Sequence, residues 1–295
     1  MGAPRDARVV DRLLITKPGV YENLIVDGEG ASGNLVKITA DNVVVRNLEI
    51  RNGSGNGIGI FGENVLIEDC RIHHMLNGAF DEQADAHGIS GRWGDTVIRN
   101  CEIFYCSGDC IQFDPGRKSS GRVVIEDCDL WTGPLPADAA MFSAGQRPGE
   151  NAFDTKTTGD GDRCVVEIRN CHLRGFKQPA QISNVAALNL KERVDVEVRN
   201  CVFSDNEIAF RVRGPGKYRD GAHVAIEDCV VYDSKFGVRA EDGIENLRLS
   251  GLGFGQGVGE RIRFVEGKPK AGFTNDGEHD APAMEEVLAG GFSRP

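Results

Sequence analysis

TVIRNCEI (96–103), VVIEDCDL (123–130) and VEIRNCHL (166–173) are one phrase written three times: branched apolar residues, a charge, Asn or Asp, Cys, one variable residue and an apolar end. The phrase also stands at 43–50, 65–72, 196–203 and 224–231, and decays to LRLSGLGF at 247–254. Such recurrence marks a solenoid, in which each unit buries its apolar face against its neighbours.

Aligned on Leu48, Cys70, Cys101, Cys128, Cys171, Cys201, Cys229 and Leu252, the phrases lie 22, 31, 27, 43, 30, 28 and 23 residues apart. The shortest separations set the coil, and the longer ones carry insertions. Val and Ile alternate at period two between Asn, Asp and Gly, which describes short strands and not helices. Strand, turn and strand in about 22 residues, with no helix between, predict an all-β, single-domain parallel β-helix of about eight to ten coils. The repeats place the solenoid at 23–258, an N-terminal cap at 1–22 and a C-terminal cap or tail at 259–295. Within the tail, DAPAMEEVLAGG predicts a short helix with Asp280 as cap, Pro282 in the first turn and Gly290 after the end.

Composition fits one elongated domain. The chain has 295 residues, 40% of them hydrophobic, with 38 glycines for tight turns and only two tryptophans and four tyrosines beside a core of stacked aliphatics. No run approaches the roughly 18 apolar residues that span a bilayer. No basic tail points to nucleic acid, and no cationic amphipathic helix points to a membrane surface. The start, MGAPRDARVV, lacks the apolar stretch of a secretory signal. Two compartments stay open: the cytoplasm, or a secreted or periplasmic location if a leader was removed. A monomer is expected.

Nine cysteines invite a disulfide reading, and the odd number leaves at least one thiol free. Those of the repeat phrase alternate with inward Val or Ile, so they are expected to stack as a column of small buried hydrophobes. Cys106 and Cys110 have no second Cys or His pair at a zinc-binding spacing. The Asn or Asp before each Cys is expected as a turn residue tolerant of left-handed geometry and bonded to neighbouring backbone.

Function belongs where the coils differ. A second strand precedes each phrase: GIGIF from Gly57, GISGR from Gly88, CIQFD from Cys110, AFDTK from Ala152, AQISN near Gln181, AFRVR from Ala209 and GVRAE from Gly237. Alternation turns Ile58, Ile89, Ile111, Phe153, Ala180 or Gln181, Phe210 and Val238 inward. The outward column then reads Gly59, Ser90, Gln112, Asp154, Gln181, Arg211, Arg239, and the next Phe61, Arg92, Asp114, Lys156, Ser183, Arg213, Glu241. With adjacent coils about 4.8 Å apart, Gln112 to Arg211 spans about 15 Å, enough for several units of a linear polymer. The extra residues at 74–86 and 131–150 run into these strands and are expected to wall one side of the columns.

Arg117, Lys118, Lys156, Lys191, Arg193, Arg211, Arg213, Lys217, Arg219 and Arg239 predict a basic stripe on a chain of net charge -11. A local reversal of sign suits an anionic ligand. Beside it, His87, Asp109, Gln112, Asp114, Glu150, Asn151, Asp154 and Lys156 come from three consecutive coils. Their oxygens could hold Ca2+, which takes six to eight ligands at about 2.3–2.6 Å. Lys156, among cations, is a candidate general base. The structural alternatives are an Asp154–Lys156 ion pair and a turn role for His87.

Coil phrase, insertion pattern and charged outward strands resemble the pectate-lyase-like superfamily of right-handed parallel β-helix proteins over roughly Asn23 to Phe254. The resemblance implies β-elimination of a uronic-acid polysaccharide, with calcium neutralising the sugar carboxylate and Lys or Arg abstracting the C5 proton. It implies Asp109, Asp114, Glu150 and Asp154 as metal ligands, Lys156 as base, and Arg211 or Arg213 on the carboxylate. His87 joins them as a catalytic candidate, and Gln112, Asn151, Arg117 and Arg239 as further substrate contacts. The His-Gly-Ile-Ser segment of polygalacturonase-type hydrolases follows their paired aspartates, whereas His87 precedes Asp109. Two other readings stand beside the lyase: an inverting hydrolase using Asp154 with Asp114 or Asp109, whose carboxyls should lie about 6.5–9.5 Å apart, and a non-catalytic binding or structural shaft. The outward columns hold only Phe61 as an aromatic platform, which favours catalysis.

Overall fold

The computed structural model describes residues 7–114, 121–157, 162–191, 193–215, 220–241, 243–267 and 272–290. Their strands form a sheet of 17 and a sheet of 10, with every strand pairing parallel. The larger sheet bends into two faces. Val65–Glu68, Thr96–Arg99 and Arg122–Glu126 stack along one, and Arg71–Met75, Glu102–Cys106 and Asp129–Trp131 along the other. The ten-stranded sheet is the third face and carries the variable columns.

The bend between the first two faces is made by the residue before each Cys. Asn47, Asp69, Asn100, Asp127, Asn170, Asn200 and Asp228 have φ between 48° and 55°. Asn and Asp tolerate this left-handed region because a short polar side chain compensates it locally. In the degraded last phrase the same place is taken by Gly251, at φ 61°. The side chains bond one another rather than the backbone. Asn100 Nδ2 donates to Asp69 Oδ1 at 2.5 Å, Asn170 Nδ2 to Asp127 Oδ1 at 3.1 Å, and Asn200 Nδ2 to Asn170 Oδ1 at 2.8 Å.

Inside this bend, Cys70, Cys101, Cys128, Cys171, Cys201 and Cys229 form the expected column. All nine cysteines are free and buried. One continuous aliphatic core runs from Ile15 to Phe254. A satellite cluster of Leu76, Phe104, Tyr105, Leu135 and Phe142 lies under the two insertions.

Three expectations change. The stretches assigned to caps also carry strands: Arg8–Val10 and Leu13–Ile15 open the two sheets, while Glu260–Phe264 and Phe273–Asp280 extend them. These coils lack the phrase, yet backbone pairing to a neighbouring strand needs no particular side chain. The short helix forms at Met284–Gly290, but Asp280 ends a strand and pairs with Arg261 instead of capping it. Third, the strand of the sixth coil is Ala186–Leu190, not AQISN. Pro179 lacks the amide hydrogen a ladder needs, and Gln178 closes a local loop through Ala180 N–H and Ile182 O. Leu188 then takes the inward place between Phe153 and Phe210.

Candidate functional site

The corrected register changes the strip. Its first outward column reads Gly59, Ser90, Gln112, Asp154, Asn189, Arg211, Arg239 and Arg263. Asn189 therefore replaces Gln181, and one outward step along, Lys191 replaces Ser183. Lys191, expected in the basic stripe, stands in the middle of the site.

A cleft of about 220 Å³ opens there, with Glu150, Asp154, Lys156, Lys191, Arg211 and Arg213 among its lining residues. Four cations face two carboxylates. Asp154 is 3% exposed and its Oδ2 lies 2.7 Å from Lys191 Nζ. Burial raises the Asp154 carboxyl, and the positive charges of Lys191 and Lys156 pull the other way. The expected Asp154–Lys156 pair is thus an Asp154–Lys191 pair. Lys156 stands farther out, 39% exposed, with Nζ 4.0 Å from Asp114 Oδ1. Gln112 Nε2 donates to both oxygens of Asp114, at 3.2 and 3.0 Å.

Glu150 is the titratable group poised near neutrality. Burial, then the negative charges of Asp85 and Asp154, push its carboxyl up to about 7. Asp85 belongs to the first insertion and Glu150 ends the second. The two insertions hold each other through Gly149 N–H on Gln83 Oε1 at 3.2 Å and an Ala79–Met141 bridge. They form a joint wall, and its inner edge sets the environment of Glu150.

Toward the C-terminal end, Glu241 organises the arginines. Its Oε1 accepts from Arg211 at 2.7 Å and its Oε2 from Arg213 Nε at 3.0 Å, while Arg239 Nη1 lies 3.4 Å from Oε1 and 3.2 Å from Asn184 Oδ1. Burial would raise the Glu241 carboxyl, but the two arginines outweigh it and lower it. One carboxylate thus orients three guanidinium forks without cancelling their charge. Arg117, Lys118, Lys217 and Arg219 lie outside the described residues.

His87 and Asp109 lie beneath the edge of the strip, and Asn151, itself buried, also lines the cleft. They belong to a ladder at one register position. His87 N–H donates to Asn56 Oδ1 at 3.0 Å, Asp109 N–H to His87 Nδ1 at 2.9 Å, Asn151 N–H and Nδ2 to Asp109 Oδ1 at 3.0 and 2.7 Å, and Ala186 N–H to Asn151 Oδ1 at 3.1 Å. Each side chain satisfies a backbone donor of the next coil, so these residues hold the fold. His87 and Asp109 are 4% and 1% exposed. Burial lowers the His87 imidazole and, with Asp154 and Glu150 nearby, raises Asp109 well above the carboxylate range. Both His87, expected as a catalytic residue, and Asn151, expected as a substrate contact, thus carry a structural role, and Asn151 also lines the cleft.

The four expected metal ligands do not make one site. Asp109 is committed to Asn151, Asp154 to Lys191, and Asp114 to Gln112 and Lys156. Among the described residues no three carboxylate, histidine or cysteine side chains converge on a point. Lys191 Nζ occupies Asp154 Oδ2, so these carboxylates do not form a ready calcium site.

The model of the right handed beta helix region matches residues 19–137. Solved structures share the architecture over most of the chain. The alginate lyase from Paenibacillus sp. str. FPU-7 aligns at TM-score 0.53 and 15% identity over 88% of this chain and 80% of that one. The A-module of the mannuronan C-5 epimerase AlgE4 from Azotobacter vinelandii aligns at 0.56 and 12%, over 90% and 65%. The fold is a right-handed parallel β-helix. A third β-helix of this kind, the pectate lyase pelN from Paenibacillus sp. 0602, aligns at 0.50 and 11%, over 90% and 71%. This chain spans just under two thirds of the epimerase module's length. No curated protein sequence matches it. Among the described residues, no helix is long and apolar enough to cross a membrane.

Sequence reasoning placed Lys191 in the basic stripe but not beside Asp154, and missed the organising role of Glu241 and the approach of Asp85. The one available signal was Pro179, which disfavors a strand through 179–183 and points to the next apolar run.

Proposed function

We propose that the strip binds an acidic, uronic-acid-containing polysaccharide and cleaves it by β-elimination. The observation that carries this reading is the four-to-two excess of cations in a cleft on a protein of net charge -11. Abstracting a proton next to a carboxylate builds negative charge on that group, so the site needs fixed cations there, a base, and a proton source for the departing oxygen. Arg211 and Arg213, preset by Glu241, face the carboxylate. Lys191 is committed to Asp154 and supplies fixed positive charge. Lys156, the less engaged amine, takes the C5 proton. Glu150, with its carboxyl near 7, is partly protonated at neutral pH and gives the proton to the leaving oxygen. No step runs through a metal.

C5 proton abstraction is also the first step of epimerisation, and the likeness to a C-5 epimerase module makes that the second reading. Incubating the protein with alginate and with polygalacturonate, with and without chelator, separates the outcomes. An ultraviolet rise from an unsaturated uronate, unaffected by chelator, is expected. Deuterium incorporation from heavy water without chain cleavage would move the assignment to epimerisation. New reducing ends without unsaturation would indicate a hydrolase pairing Glu150 with Asp154, and inactivity toward all uronates would discard the enzymatic reading.

A further inference from the structure

A second cavity lies away from the strip, on the second face, beneath the insertion at 131–150. Its volume is about 740 Å³, within the range that encloses small ligands. Asp27, Asn52, His74, Asp138 and Met141 are among its lining residues. No lysine or arginine lines it. The polar groups it presents are mostly acceptors, the reverse of the strip.

His74 heads a buried relay. Glu49 and His73 are 3% and 7% exposed. Arg51 Nη1 donates to Glu49 Oε1 at 3.2 Å, and His73 Nε2 lies 3.1 Å from the same oxygen. His73 must therefore carry its proton on Nε2, which makes His73 Nδ1 an acceptor. His74 Nδ1 lies 2.7 Å from it, so His74 is the donor in that contact, and the Nε2 of this cavity-lining residue is left as an acceptor. His73 is stacked on Phe104 at 4.8 Å between ring centroids, and Phe104 on Trp131 at 4.3 Å, which locks the relay's orientation. Burial, then the charges of His73 and Arg71, lower His74 to about 4. It stays neutral at physiological pH.

Asp27 is engaged by Arg51 Nε at 2.7 Å and Asn52 Nδ2 at 3.0 Å. Glu29 and Asp138, both exposed, add negative charge at the mouth. A uronate would be repelled here. A ligand with several hydroxyl donors and an ammonium matches both the acceptors and the charge.

We propose that this cavity is a second, non-catalytic carbohydrate site that binds an amino sugar, one hydroxyl of which donates to His74 Nε2. The full chain, labelled with 15N-histidine, is titrated at pH 7 with the β-1,4-linked glucosamine disaccharide, with cellobiose and with a uronate disaccharide. Before ligand, the imidazole nitrogens should report the Nδ1–H tautomer for His74 and the Nε2–H tautomer for His73. The glucosamine disaccharide should shift His74 Nε2 saturably, at concentrations several-fold lower than cellobiose requires, with no response to the uronate. Met141 is 69% exposed, so Met141→Trp should fill the cavity without unfolding the chain and abolish the shift. The opposite His74 tautomer, an equal response to cellobiose, a response to the uronate, or a shift that survives Met141→Trp would each overturn the assignment.

Discussion

On the first face of the helix the outward residue before each Asn or Asp runs Glu22, Arg46, Glu68, Arg99, Glu126, Arg169, Arg199, Glu227. Nearly every charge meets its opposite one coil away: Arg46 on Glu22, Arg99 on Glu68, Arg169 on Glu126 and Arg199 on Glu227. Where two arginines adjoin, Glu167 and Glu197 flank them. On the third face the column from Asp154 runs Asn189, Arg211, Arg239 and Arg263, and charge is not balanced along it. Identical strand spacing thus supports two electrostatic designs. The paired face spends its charges on holding coils in register. The third face ties its cations to a few shared carboxylates, Lys191 to Asp154, Lys156 to Asp114 and three arginines to Glu241, and keeps a cationic excess available to a ligand.

The sharpest way to test that division is to remove the proposed base from the third face. Lys156→Ala should lower polymer cleavage by about 10²–10⁴-fold, with binding and thermal stability nearly unchanged; comparable turnover would exclude it as the base. Lys191 should behave differently, because its partner is buried. Lys191→Met leaves Asp154 without its cation and should destabilise the chain by about 3–5 kcal/mol in denaturant titrations. Adding Asp154→Asn should recover much of that loss. Recovery would show that the pair acts as a unit.

The bend offers an intermediate effect. Asn170 has φ 54° and bonds both Asp127 and Asn200. Asn170→Ala should cost about 1–3 kcal/mol, from left-handed strain plus lost ladder bonds, and Asn170→Gly distinctly less. Equal losses would mean that backbone geometry is not the larger part.

Glu150 sharpens the comparison through pH. Its carboxyl rises from 4.5 to about 7 on folding, so the folded state binds the proton more tightly. Stability from that source is present below pH 4.5 and is lost as pH rises through 7. Glu150→Gln should therefore stabilise by about 1–2 kcal/mol at pH 8 and change little at pH 4. A loss of stability at pH 8 would contradict the burial argument. The smallest effect belongs to the paired face: Arg99, 46% exposed beside Glu68, should cost at most about 1 kcal/mol when changed to Ala, and less in high salt.

Much of the architecture was legible because the phrase encodes local physics. Period-two Val and Ile dictate strands, and a left-handed Asn or Asp dictates the bend. Cysteine fits the narrow interior corner. The site was legible in part. Asp154, Lys156, Arg211, Arg213 and Arg239 were placed in outward columns by alternation alone, and the structure puts them there. The structural bonds of His87, Asp109 and Asn151 were not legible, because a polar side chain next to a variable strand looks the same in sequence whether it faces solvent or the next coil's amide. Lys191 was displaced by one register error, since AQISN and AALNL both alternate acceptably and only Pro179 separates them.

By itself, the sequence determined the solenoid, the coil length, the cysteine column and the turn residues, all of which depend on contacts within a coil or with the next one. Only the tertiary structure decided which cation meets Asp154, that Glu241 gathers three arginines, that Asp85 and Glu150 approach across two insertions, and that a Glu49–His73–His74 relay ends at a cavity. Those outcomes depend on distances between coils and loops of unequal length, where a one-residue shift reverses which side chains face outward.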